Sequence, residues 1–247
     1  MSQAVNVQLR PAQEIIRDAR VNQASNGVCY ATSGEVMLPS DDLERIIGAV
    51  PVAIAGALGR KAFYFVPITI SDGDKTLVAE RFDGAPPEGG ICHRNIDSGS
   101  AQCVFISTRL LEERFAIAFE FYINVGHAFV EKAGISPEFA DLVWAQASNN
   151  VRGETSLDAY EFRKQAQTNG LGHIDEKAKS DYLGAAFSDA IAIYMLSLCL
   201  DVDYYELRER EYPLLAPSAL AERLKKVAEL FPPNPGFQFN IIYRRKG

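Results

Sequence analysis

Four polar side chains in one apolar stretch have the types and spacing to do chemistry. Glu120, Asn124, His127 and Glu131 follow one another at steps of four, three and four, which puts all four on one face of a helix. Two carboxylates, an amide and an imidazole can move protons or, in part, ligate a metal ion. Phe119, Phe121 and Tyr122 crowd round Glu120, more aromatic surroundings than a solvated face normally has. Surface carboxylates are nevertheless common and buried ones rare. The stripe therefore reads either as a site, with Glu120, Asn124 and His127 as its candidate residues, or as a solvated or structural face.

The element that must position them runs from Ser107 to Gly134. Leu111, Phe115, Ala118, Phe119, Tyr122, Val125 and Phe129 recur at helical spacing and form a broad apolar face. Before it, the pattern predicts short strands. Lys61 to Ile70 reads as one strand, with Pro67 suggesting an edge position, and segments at residues 76–82, 91–96 and 102–107 follow between turn signals. A helix starting at Ser40 precedes them, Pro51 interrupts or restarts it, and a short helix is expected after Pro11. After Gly134 the chain reads as helical: Pro137 to about Asn150, Thr155 to Gln167, Asp175 to Leu200, Asp203 to Glu211 and Ser218 to Phe231. A closing strand is expected from Gly236.

A helix, a small sheet, a long helix bearing Gly-His-Ala and a later buried helix together resemble the zincin metallopeptidases. In that family the long helix carries HExxH, often written HExGHA, whose histidines bind zinc and whose glutamate activates the bound water. The matching pentad here is Ile123-Asn124-Val125-Gly126-His127, followed by Ala128. Only the second histidine is present, and the amide of Asn124 cannot serve as the general base. A third ligand often comes from E-x-x-A-D on a later helix. The nearest match is Ala185-Ala186-Phe187-Ser188-Asp189, which leaves Ala185 in the ligand slot. The resemblance thus implies a zincin-like fold without its metal site, and no cofactor. The alternative is a divalent metal held by His127, Glu131 and Asp189, which would suit a harder ion than structural zinc.

The remaining candidates add little. His93, in Cys92-His93-Arg94-Asn95, reads as a turn residue, with an edge-strand residue facing the helix as the alternative. His173 falls in a glycine-rich loop, and Trp144 reads as core. No GxSxG, P-loop or strand-linked GxGxxG occurs. Cys29, Cys92, Cys103 and Cys199 lack zinc-finger spacing and read as reduced thiols, a Cys92–Cys103 bridge being the alternative.

Across 247 residues the net charge is −7 and the sequence pI about 5.1, which argues against a general nucleic-acid binder. No secretory pattern is expected, and the apolar runs are broken by charge, so a cytoplasmic protein without a membrane span is the expectation. The fold class expected is α+β, a predominantly helical single domain with one small, mainly antiparallel sheet. Residues 1–39 read as an N-terminal extension and 40–247 as the zincin-like domain. The function expected is that of a catalytically inactive zincin-like protein binding a protein or peptide partner through its former cleft. A metal-dependent hydrolase and a structural subunit with a buried polar network are the alternatives.

Overall fold

The computed structural model describes residues 9–73, 75–81, 88–99, 101–167, 174–200 and 211–241. His173, the basic tail 244–246 and nearly all of the helix expected at 203–211 lie outside them. The fold is α+β, and by contacts the chain divides into two compact units, Met1–Asn124 and Val125–Gly247.

In the first unit, β1 (Leu9–Pro11) and α1 (Ala12–Asp18) lead into β2 (Asn22–Gln23) and β3 (Cys29–Thr32). Helices α2 (Ser40–Gly48) and α3 (Val52–Ala57) follow, each entered through a proline, Pro39 and Pro51. Proline suits such a start because its fixed φ is helical and its missing N–H is not needed there. Strands β4 (Lys61–Val66), β5 (Ile68–Asp72), β6 (Lys75–Ala79), β7 (Gly90–Ile91), β8 (His93–Asp97) and β9 (Gln102–Ser107) complete two sheets. One has the order β1-β6-β5-β7 and the other β2-β3-β4-β9-β8. Among the described residues five of the seven strand pairings are antiparallel; β3-β4 and β4-β9 are parallel.

Two expectations change here. The expected single strand across Pro67 is two strands in different sheets, with proline at the corner, where no ladder N–H is required. β4 is consequently an interior strand, and Phe63, Phe65 and Val66 are fully buried. Residues 9–32 of the expected N-terminal extension supply β1, β2, β3 and α1 to these sheets.

The long helix is also shorter than its pattern. A turn, α4 (Thr108–Leu111), ends at Glu112 with φ of 54°, and α5 (Arg114–Ala133) begins afresh. The first half of α5 packs on the larger sheet: Phe121 meets Phe63 edge-on at 4.9 Å, and the Tyr122 hydroxyl donates to the Ile46 carbonyl at 2.8 Å.

The second unit takes the rest of α5, then α6 (Pro137–Ser148), α7 (Leu157–Gln167), α8 (Glu176–Cys199) and α9 (Pro217–Leu230). Ser136 caps α6 and Asp175 caps α8 through side-chain oxygens. No strand forms between Gly236 and Ile241, where one was expected. α8 is long and apolar enough to cross a bilayer by length and composition, but 72% of its most apolar stretch is buried inside the protein. Phe129, Phe139, Phe187 and Phe231 cluster around it, the closest ring pair being Phe139 and Phe187 at 4.4 Å.

Charge lies at the centre of this helical unit. Glu154 and Arg223 are fully buried, and Arg163 nearly so. Arg223 Nη1 donates to Glu154 Oε2 at 2.9 Å, while Arg163 Nη1 and the Tyr182 hydroxyl reach Oε1 at 3.0 and 2.7 Å. Removing the carboxylate would leave two buried guanidinium groups facing each other. Glu154→Ala should therefore cost roughly 3–5 kcal/mol, read as a drop in the urea midpoint. A change below about 1 kcal/mol would mean the network adds nothing to stability.

Candidate functional site

The polar stripe of α5 divides into two environments. At its N-terminal end, Glu120 Oε1 lies 2.5 Å from His93 Nδ1, on β8. Asn124 is buried and donates from Nδ2 to the Glu120 carbonyl at 2.8 Å and to Oε1 at 3.3 Å. His93 is thus an edge-strand residue facing the helix, not a turn residue. Strand alternation explains it, because His93, Asn95 and Asp97 share the face of β8 opposite to Ile96, which packs on the cluster around Phe105.

The hydrogen bond that His93 donates to the Glu120 carboxylate raises the pKa of His93, against the opposing effect of partial burial. Nδ1 is engaged by Glu120, and the His93 side chain is 42% exposed. The pair can hold a proton and present an imidazolium at the surface. The neighbouring Cys92 thiol is pushed up by burial and by the Glu120 charge, the opposite of what an activated nucleophile needs.

The folded pKa of His93 is raised, so its contribution to stability is present below the unfolded value, about 6.5, and is lost as pH rises through the raised folded value. Histidine ring NMR should give a midpoint above about 6.5 in the native protein. Glu120→Gln should return it downward; an unchanged midpoint in that variant would remove Glu120 as the cause.

At its other end the stripe opens out. His127 and Glu131 are exposed. His127 lines a groove of about 460 Å³ with Val130, Ile135, Asp158, Phe162 and Ala185, among others. Asp189 is buried, accepts from the Thr155 hydroxyl at 2.8 Å, and has its pKa raised by burial against the opposing pull of Ser156, Thr155, His127 and Arg223. Among the described residues no three His, Cys, Asp or Glu side chains gather as a metal site requires. His127, Glu131 and Asp189 do not form one. The four cysteines are free, so Cys92 and Cys103 are not bridged. Trp144 is half-buried, its ring against Tyr182 and under the Lys179 ammonium.

What brings His127 and Ala185 to one groove is a backbone contact. A Cβ added at Gly126 would lie 2.6 Å from the Ser188 carbonyl oxygen, so α5 and α8 approach as closely as glycine permits. Gly126→Ala should already destabilise the fold, and Gly126→Leu should cost roughly 1–3 kcal/mol or more. Thermal melts check the sign, because at an exposed helical glycine either change would stabilise by up to about 1 kcal/mol.

The Glu154 cluster was missed from sequence, although one signal was available. Arg223 sits on the apolar face of α9, between Leu220, Leu224 and Val227, where a solvated arginine would not be placed. Comparison with protein-family models, curated proteins and solved structures returned no match.

Proposed function

We propose that the chain is a relative of the zincin metallopeptidases without a catalytic centre, acting as a binding or scaffolding protein through the groove at His127 and Ala185. One observation carries the reading. Ala185, in the slot where the family's third ligand would stand, lines the same groove as His127, the one histidine of the pentad. The Gly126–Ser188 contact that brings them there supports it. Ile123, in the slot of the missing histidine, is one helical turn before His127 on α5. The groove keeps one ligand of three, and a zinc site needs at least three protein ligands. It therefore offers a polar, partly apolar concavity to a partner rather than a reaction centre.

The rival reading, a structural subunit organised by a buried polar network, draws on Glu154 and its arginines. Restoring the missing ligands separates the two. Wild-type protein should carry no stoichiometric zinc, whereas Ile123→His combined with Ala185→Glu should bind about one zinc per chain, measured by elemental analysis on protein whose circular dichroism melt shows it folded. A folded double variant that stays zinc-free would defeat the kinship and leave the structural reading.

A further inference from the structure

A second surface, in the first unit, is independent of the groove at His127 and of any kinship. β8 ends its sheet, with β9 on one side and no strand on the other among the described residues. Which of its backbone groups face outward follows from parity. Cys92 accepts from the Ser107 N–H and Ala101 accepts from the Ser98 N–H. With the β8–β9 register, this makes residues 92, 94, 96 and 98 the ones that point at β9. The N–H and C=O groups of His93, Asn95 and Asp97 therefore face away from the sheet, and a row of that kind is a template for another strand.

At β8 lies a slot of about 580 Å³, lined by the consecutive residues Arg94, Asn95, Ile96 and Asp97 together with Lys75, Thr76 and Leu77 of β6 and Pro11 and Gln13. Side chains alternate along a strand, so a lining of four consecutive residues is a lining by the strand edge itself. Lys75 and Arg94 are exposed and have no ion-pair partner among the described residues. Asp97, the one carboxylate lining the slot among the described residues, accepts from the Gly99 N–H at 2.8 Å. Two cations without an ion-pair partner among the described residues flank a strand edge in a chain whose net charge is −7.

We propose that the outer edge of β8 docks an extended acidic segment of a partner protein, which adds as a strand to Asn95 and Asp97 and sets its carboxylates against Lys75 and Arg94. A small anion would use the cations and the N–H groups but leave the outward carbonyls unmatched. A peptide chain satisfies donors and acceptors together at the strand repeat. The charges supply selectivity and the backbone supplies register.

The probe is a fluorescein-labelled octapeptide of alternating threonine and glutamate, titrated by anisotropy at low salt. It should bind, its glutamine counterpart should bind about tenfold more weakly, and added salt should narrow the difference. Combining Lys75→Glu with Arg94→Glu should reverse the preference toward the threonine–lysine peptide, while thermal melts show the fold retained. Methylating alternate amide nitrogens of the peptide should abolish binding for one alternating set and spare the other. Equal binding of the glutamate and glutamine peptides, no reversal in the folded double variant, or no binding by any peptide would each overturn the proposal. So would loss of binding with both methylated sets, or self-association through the same edge in sedimentation.

Discussion

The second unit depends on a single buried carboxylate. Glu154 stands where α6, α7, α8 and α9 all reach it: Gln146 indirectly through Arg223, Arg163 and Tyr182 directly, and Arg223 with two nitrogens. Its own backbone is held as well, its N–H by the Pro213 carbonyl and its carbonyl by the Leu215 N–H. Burying three charges costs several kcal/mol per ion before any pairing. The arrangement holds because the remaining donors find acceptors too, Arg163 in the Gly153 and Ala147 carbonyls and Gln146 in the Ala219 carbonyl. Gly153 explains how the loop gets in: its φ is 79°, and a Cβ there would sit 2.0 Å from the Leu214 oxygen. Only glycine lets the two backbone segments come together and present Glu154 inward.

One carboxylate facing two guanidinium groups leaves positive charge in the interior. Asp189 is the next buried acid, and its ionisation is favoured by Arg223 and His127 while burial opposes it. The Thr155 hydroxyl that binds Asp189 belongs to the residue after Glu154. The segment that carries the hub thus also fixes the middle of α8, and α8 in turn presents its Ser188 backbone to Gly126. Ionic pairing, a tight turn and a helix crossing form one connected set of constraints within this unit.

Much of this was legible in the sequence where a local signal existed. Pro137 and Asp175 mark helix starts that the structure realises at Pro137–Ser148 and Glu176–Cys199, because capping is settled within one turn. The backbones of α5 and α8 meet at Gly126 and Ser188, both within the segments that carry the resemblance. What depends on tertiary context was not legible. Pro67 could not reveal that the chain changes sheet, since an edge strand and a corner both tolerate a missing N–H. The stripe at Glu120, Asn124 and His127 has perfect helical spacing, yet periodicity does not say where cover ends. Asn124 is buried against Glu120, and His127, less than one turn further, is exposed. The Glu154 cluster joins residues up to 77 positions apart, beyond any local pattern.

The physical logic of a lost metal site, under the reading proposed here, bears on what replaces the metal. A bound zinc ion joins two helices by ligand bonds, and that binding energy is folding energy. Without it, α5 and α8 must be joined by something else. The contact between them is made at backbone distance, with Gly126 against Ser188, which needs no side chain that could serve as a ligand. Asp189, the residue after Ser188, accepts from the Thr155 hydroxyl and so ties α8 to the Glu154 segment. Under the proposed reading, a fold held in this way would leave the groove at His127 to a partner. That is the condition under which a concave surface can be specialised for a partner without endangering the fold.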